Sequence, residues 1–322
     1  MGNLKYEEAF HLVKEELKQA LAGSPPIINQ YLLGLTRSQG KMLRASAVLI
    51  CSEDESGLVE PAAVSAAAAI EIIHLASLIH DDVIDDADIR RGQDTIQKKY
   101  GRRTAVICGD FLLSLAFTLI SKIPDPGQYQ EISFPDYIRR LCLGELLQHV
   151  NNYNSDLSVL EYIRIISGKT AALFEASFFA GSVLCGCSTR ERTIYKKIGK
   201  YAGLIFQLQD DCLDFNETME VAKKPVQSDY EQGVMTLPLI FALGMRPQYK
   251  EKAAAGMLTR KEINNIVKET DGVSFNIQMM TKYSTKAIKE LNRLDLNENK
   301  KNQILEFLHL MTGGYLEAGA IQ

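Results

Sequence analysis

Apolar residues recur at spacings of three and four along nearly the whole chain, and strict alternation is almost absent. That periodicity belongs to helices rather than strands, so the fold class expected is all-α. The pattern predicts a first helix over 4–22, stopped by Gly23-Ser24-Pro25-Pro26, and a second over 42–51, ended by the polar run 52–57. A long helix over 60–86 comes next, then a charged loop holding Arg90-Arg91-Gly92. Further helices are expected over 104–122 and 135–152. Ser158 with Glu161, Ser188 with Glu191, and Thr259 with Glu262 have the spacing of capping boxes and mark three more helix starts. The last third holds three or four amphipathic helices. The apolar stretch 61–79 is interrupted by Glu71 and His74, which favours a buried helix over a membrane span. No linker, low-complexity run or short repeat interrupts the pattern, so residues 1–322 read as a single helical domain.

One polar feature stands out against this background. Asp81-Asp82-Val83-Ile84-Asp85 recurs as Asp210-Asp211-Cys212-Leu213-Asp214. Each copy follows a long apolar-periodic segment, so each belongs on a helix. Residues four apart lie one above the other, so Asp81 shares a face with Asp85, and Asp210 with Asp214. Like charges at that spacing repel. Asp is a poor helix former, and negative charge opposes the dipole at a helix C-terminus. A hard divalent cation with oxygen ligands, Mg2+ above all, is the natural counter-charge. The spacing and the missing loop glycine exclude an EF-hand. Two such clusters presented across a cavity would hold a strongly anionic ligand, a diphosphate being the obvious candidate.

Cationic groups accompany the acids. Lys41 and Arg44 lie three apart ahead of a helix, and Arg90 and Arg91 follow the first acidic motif. Arg suits forked contact with phosphate oxygens, and Lys acts as a point charge. Ser167-Gly168-Lys169-Thr170-Ala171 is not a phosphate-binding loop of the Walker type, because the upstream glycine is absent. It instead places Lys169 and Thr170 within a helical pattern. Gln207 precedes Asp210 by one turn, and Gly144-Glu145-Leu146-Leu147-Gln148 sets further polar groups on a core helix.

Composition narrows the class without naming it. The chain is 46% apolar and 24% charged, ordinary for a folded protein with ample core material. A net charge of −4 and the lack of a Lys/Arg block exclude a nucleic-acid binder. The six cysteines form no CxxC pair and mostly fall in apolar context, so they are expected as buried small hydrophobes rather than disulfides or zinc ligands. That usage, with a charged, amphipathic N-terminus in place of a signal peptide, points to the cytoplasm.

These residues together resemble the trans-type polyprenyl diphosphate synthases, the farnesyl and geranylgeranyl diphosphate synthase family, with long-chain hexaprenyl and heptaprenyl synthase catalytic subunits as the nearest pattern. The resemblance rests on GKMLRA, LIHDDVIDDADIRRG, GDFLL, GELLQ, SGKTAALFEAS, FQLQDDCLDF, KKPVQSD and TLP, running from Gly40 to Pro238. It implies an isoprenoid-synthase-type helical bundle around a deep central cavity. The implied reaction joins isopentenyl diphosphate head-to-tail to an allylic diphosphate. By position, Asp81, Asp82 and Asp85 are implied to hold Mg2+ against the allylic diphosphate, and Asp210 to hold more, with Asp211 and Asp214 nearby; roughly three Mg2+ ions per site are expected. Arg90, Lys169 and Lys224 are implied to contact that diphosphate, and Lys41, Arg44, His74 and Arg91 that of isopentenyl diphosphate. Thr170 and Gln207 are implied to lie along the reacting carbons. A homodimer is the expected assembly, with a small non-catalytic partner subunit as the other expectation, and contact with membranes at most peripheral. Three departures are visible: Gln39 stands for a glycine, Met42 for an arginine and Val234 for a lysine that contacts diphosphate. The C-terminal GGYLEAGAIQ also carries no basic tail.

The growing tail is expected to run along the helix that carries Asp81, past Ala76, Ile73 and Ala69. Short-chain members place aromatics at the positions of Ala76 or Ser77, and both are small here. The rise from Ala76 to Ala66 is roughly 15 Å, which suggests a product of very roughly C30 to C40. Leu113 and Phe117 are candidates for the floor. Rival readings are a terpene cyclase, a head-to-head synthase, a catalytic subunit of a heteromeric synthase that is weak alone, and a silent partner subunit. The second aspartate motif and the Lys41/Arg44 pair speak against the first two, and retention of both acidic motifs speaks against the last.

Overall fold

The computed structural model describes residues 2–22, 24, 26, 42–90, 92–216 and 228–316. Helices make up nearly all of it: α1 (Tyr6–Ala22), α2 (Leu43–Ser52), α3 (Ala62–Ile84), α4 (Ile96–Tyr100), α5 (Arg102–Ile120), α6 (Pro126–Ile132), α7 (Phe134–Val150) and α8 (Val159–Lys169). They continue as α9 (Ala171–Leu184), α10 (Thr189–Asn216), α11 (Ser228–Glu231), α12 (Leu237–Met245), α13 (Lys250–Ala254), α14 (Arg260–Glu269), α15 (Gly272–Leu291) and α16 (Glu298–Met311). The all-α expectation holds, and the predicted starts and stops fall within a few residues of those observed. All three capping boxes form. Glu191 and Ser188 exchange bonds of 2.8 and 3.3 Å between side chain and backbone, and Ser158–Glu161 and Thr259–Glu262 do the same.

The chain divides into two compact units, each assembled from three stretches. The first comprises Met1–Phe134, Ala176–Lys196 and Leu294–Ile304. Its centre is α3, which packs along much of its length on α5 and also on α1 and α2. Ala66, Ala67, Ala68 and Ala69 are all fully buried there, and such small side chains let neighbouring helices approach closely. α3 and α5 are each long and apolar enough to cross a membrane, but 67% of the most apolar window of α3 is buried inside the protein. α3 is therefore a core helix. Gly181 of α9 touches α2 so closely that a Cβ there would stand 2.4 Å from Val48 O.

The charged loop expected after α3 is a short antiparallel hairpin instead. Ile89–Arg90 pairs with Gln93–Asp94, with Arg90 opposite Gln93, and Gly92 supplies the positive φ of the turn. Strands of two residues carry no alternation to read. α3 itself stops earlier than 86. Asp86 takes the left-handed conformation, and Ala87 N–H returns to Asp82 O at 2.9 Å, a helix-ending turn usually built on glycine.

The second unit comprises Pro135–Glu175, Lys197–Arg293 and Leu305–Gln322. There α12 packs on α14, α15 and α8. Gly144 of α7 meets Gly168 and Lys169 of α8 backbone to backbone, and a Cβ on Gly144 would lie 2.2 Å from Lys169 N. The fully buried Asn276 of α15 donates to Leu208 O at 2.6 Å and reaches Cys212 Sγ at 3.0 Å, which fixes the end of α10 that carries the second acidic motif.

Candidate active site

The first acidic motif occupies the C-terminal end of α3. Asp82 is 2% exposed, and Arg90 Nε donates to its Oδ1 at 2.5 Å across the turn. Burial pushes the Asp82 carboxyl above the ordinary carboxylate value; Arg90 opposes that rise and the neighbouring Asp85 adds to it. Asp81 and Asp85 stay half-exposed, and Asp85 N–H still bonds Asp81 O at 2.8 Å, so helical spacing carries through the motif as expected. Arg44 is almost wholly buried on α2, beside Ala45, whose N–H donates to buried Glu71 of α3 at 2.9 Å. His74 lies one turn further along α3, half-exposed. Lys41, Arg91 and Lys224 lie outside the described residues.

The second motif lies near the end of α10 in the other unit, within a closed hydrogen-bond network. Asp211 is buried and accepts from Tyr162 O–H, from Gln207 Nε2 at 3.2 Å and from Leu237 N–H at 3.2 Å. The last donor is the first residue of α12, so the carboxylate also caps the positive end of that helix. Thr170, at the C-terminus of α8, donates to Gln207 Oε1 at 2.6 Å. The chain Thr170–Gln207–Asp211–Tyr162 thus ties α8 to α10. Burial lifts the Asp211 carboxyl to about 7; the three donors pull it down, and Asp210 adds to the rise. Asp210 is exposed and Asp214 half-exposed. Lys169 Nζ donates to Glu145 Oε1 at 2.9 Å.

The structure adjusts several sequence expectations. The spacing places Gln207 beside Asp210, yet its amide bonds Asp211, one helical turn on. Within the protein Arg90 pairs with Asp82, in addition to any role toward substrate. Two residues escape a reading of the sequence. Asp229, on α11, has its carboxyl raised well above the carboxylate range by burial and then by the charges of Asp214, Asp210 and Asp211, with Lys169 opposing. Its only sequence signal is the acid closing KKPVQSD. Tyr162 looks like one more apolar position of α8. The cysteines divide: Cys51, Cys108 and Cys212 are buried as expected, whereas Cys142 is exposed and Cys185 and Cys187 are half-exposed; none of the six is in a disulfide.

A donor set of carboxylate oxygens without sulfur suits a hard ion such as Mg2+. Among the described residues no three Asp, Glu, His or Cys side chains converge into a ready-made cage. Mg2+ does not require one, because it is commonly held by one or two carboxylates together with substrate phosphates and water.

Comparison with known proteins decides the family. The polyprenyl synthetase family model matches residues 25–270. The chain belongs to the polyprenyl synthetase family. It is accordingly a prenyltransferase, and Mg2+ is the metal that this family uses. Heptaprenyl diphosphate synthase component 2 of Bacillus subtilis is 33% identical over 291 residues, covering 88% of this chain and 82% of that protein. Octaprenyl diphosphate synthase of Escherichia coli is 34% identical over 231 residues, covering 72% and 71%. The crystal structure of heptaprenyl diphosphate synthase from Staphylococcus aureus superposes with a TM-score of 0.88 at 31% identity, covering 97% of this chain and 99% of that one.

Proposed function

We propose that this prenyltransferase condenses isopentenyl diphosphate head-to-tail with an allylic diphosphate and releases a medium- to long-chain polyprenyl diphosphate. The observation that carries the reading is the repeated acidic motif, set at two helix ends in a chain of the polyprenyl synthetase family. Asp81, Asp82 and Asp85, with Asp210, Asp211 and Asp214, are the residues that would hold Mg2+, roughly three ions by the resemblance. Bound Mg2+ supplies charge that stabilises the departing diphosphate.

The protein groups then have separate tasks. Arg90, Lys169 and Lys224 bind and orient the allylic diphosphate, and Lys41, Arg44, His74 and Arg91 bind that of isopentenyl diphosphate. The allylic C–O bond breaks and its electron pair leaves with the diphosphate. The double bond of isopentenyl diphosphate attacks the cation, and loss of a proton restores a double bond. The motifs offer no isolated Glu or His base, so the released diphosphate takes that proton. Thr170 and Gln207 lie along the reacting carbons in this reading, and their mutual hydrogen bond supports a fixed placement.

The relatives named for heptaprenyl and octaprenyl products, and the small Ala76 and Ser77 ahead of Asp81, support a product of very roughly C30 to C40. For assembly we favour a homodimer. Leu143, Leu146 and Val150 are all exposed and fall on one face of α7, an apolar stripe that a second copy would cover. The name of the Bacillus relative, a component 2, supports a two-component assembly as the second reading.

The deciding experiment incubates the purified chain with Mg2+, isopentenyl diphosphate and an allylic primer, alone and with cell extract, and measures product length. Polyprenyl diphosphate from the chain alone is the expected result. Product only in the presence of extract favours the two-component reading, and absence of product under both conditions overturns the proposal.

A further inference from the structure

Away from the acidic motifs, the first unit holds a second concentration of reactive groups that the prenyl-transfer reaction does not use. α9 ends in a Schellman turn: Gly186 N–H bonds Val183 O at 3.0 Å, Cys187 N–H bonds Ser182 O at 3.1 Å, and Gly186 has a φ of 75°. The reversal sets Cys185 and Cys187 two residues apart across one tight turn, where the Cys187 thiol favours ionisation of Cys185. Lys300 of α16 stands behind them, 4% exposed. Its ammonium donates to Glu53 O at 2.6 Å and Cys51 O at 3.1 Å and lies 3.9 Å from Cys185 Sγ.

A buried ammonium requires a counter-charge. Glu53, whose backbone carbonyl takes the Lys300 donor, is 1% exposed, and its carboxyl Oε2 has no hydrogen-bond partner among the described residues. Burial raises its affinity for a proton. The carboxylates of Asp54 and Glu191 also act on Lys300, and Cys185 Sγ, 3.9 Å away, is a further group there that can carry negative charge. As a thiol, Cys185 donates to Glu53 O at 2.9 Å. As a thiolate it gives up that bond, while the carbonyl keeps its Lys300 donor. Charged groups acting on Cys185 are Lys300, which favours the thiolate, and Asp54 and Glu191, which oppose it; the Cys187 hydrogen bond favours it most.

We propose that Cys185 and Cys187 form a redox-active dithiol, with Cys185 the attacking thiolate and Cys187 the resolving thiol, and with hydroperoxides as the oxidant. Cys185 sulfur attacks the O–O bond; an S–O bond forms, the O–O bond breaks, and the departing oxygen leaves as water or alcohol after taking a proton. Cys187 sulfur then attacks Cys185 sulfur; the S–S bond forms, and hydroxide leaves as water with the Cys187 proton. The dithiol loses two electrons and the peroxide gains them. Both cysteines are half-exposed residues, which opens this turn to a small oxidant. A thiol reductant reverses the step by exchange.

The test uses the full chain. After stoichiometric hydrogen peroxide, peptide mapping is expected to recover Cys185 and Cys187 joined, with the loss of two hydrogens. Cys187→Ser is expected to leave Cys185 as a sulfenic acid that dimedone traps. The midpoint of Cys185 alkylation by iodoacetamide against pH is expected near 7. It should rise in Lys300→Met; a midpoint higher by about one pH unit leaves about tenfold less thiolate at pH 6. Cys187→Ala, which removes the donor altogether, should raise the midpoint too, an independent check should the lysine variant fail to fold. Cys185 recovered reduced after peroxide, or an alkylation midpoint at the ordinary thiol value of about 8.5, overturns the proposal.

Discussion

The Tyr162 hydroxyl donates to Asp211 Oδ2 inside the second unit, and both residues are buried. An acidic motif in an enzyme of this family is usually thought of as carboxylates waiting for metal. Here the second aspartate of the motif is already committed to three donors, and the exposed Asp210 and half-exposed Asp214 are the ones turned outward. Asp211 thus also has a positioning task within the protein, tying α8, α10 and the start of α12 together, beside the metal-holding role proposed for the motif.

Tyr162→Phe removes one of three donors and no bulk. A hydrogen bond to a charged group contributes about 1.5–3 kcal/mol, so kcat is expected to fall by about ten- to a hundredfold, with the primer KM changed less. Asp211→Ala removes the whole node and should reduce turnover further while the chain stays folded. Steady-state kinetics with circular dichroism on both variants measures this. Equal, near-normal turnover in the two would remove Asp211 from the functional network.

Asp211 also gives a pH dependence whose sign is determined. Its folded value of about 7 lies above the ordinary 3.8. Between the two the folded chain binds more protons than the unfolded one, so unfolding free energy falls as pH rises. This contribution is full below about pH 4, is lost by about pH 7 and is flat above. Asp211→Asn cannot titrate. In metal-free buffer the wild type is expected to lose thermal stability relative to Asp211→Asn from about pH 4 to about pH 7, with no further relative change above; parallel melting curves across that range would contradict the burial argument.

Asp82 and Arg90 form the corresponding pair in the first unit, and their coupling is measurable. Asp82→Ala should abolish most turnover without unfolding the protein. Arg90→Ala leaves a buried carboxyl without its cation and should be costly as well. Because each single change already breaks the pair, the double variant is expected to be milder than the product of the two. The coupling energy should be about 1–3 kcal/mol on kcat/KM. Strict additivity would place Arg90 wholly on the substrate, as the family resemblance implies.

What is legible in the sequence divides along physical lines. Helix periodicity, capping boxes and the two acidic motifs are local patterns, and all can be read directly. Tyr162 cannot, because its partner lies 49 positions away and nothing in α8 marks a tyrosine that meets a carboxylate. Asp229 cannot, because its character comes from burial and then from three aspartates, all of it produced by folding. The hairpin at Arg90 is too short for any period, and Asp86 gives no sign that it takes a glycine-like backbone. The dithiol is hidden for a related reason: Lys300 lies far along the chain from the cysteines it faces.

Glycines at helix crossings predict where stability is concentrated. Gly144→Ala would set a methyl group 2.2 Å from Lys169 N, and Gly168→Ala one 2.7 Å from Arg140 O. Both contacts are with backbone, so α7 and α8 must separate at a cost of about 1–3 kcal/mol or more, displacing the Lys169–Glu145 pair beside them. Gly244 of α12 meets nothing within 4 Å, so Gly244→Ala should be neutral or stabilising by about 0.5–1 kcal/mol. Melting temperatures of the three variants check the contrast.

The chain-length expectation can be directed at one position. In the proposed reading helical spacing turns Ala69, Ile73 and Ala76 toward the growing tail, and all three are buried. Ser77, beside them on α3, is half-exposed, and its hydroxyl only returns to His74 O at 2.9 Å. A phenylalanine at 77 therefore has somewhere to go, whereas one at 76 must displace packed neighbours. Ser77→Phe is expected to shorten the product with little loss of stability. Ala76→Phe should lower stability by about 1–3 kcal/mol, whatever it does to the product. Product chromatography beside thermal melts separates the two effects. An unchanged product length in a well-folded Ser77→Phe enzyme would move the tail away from this face of α3.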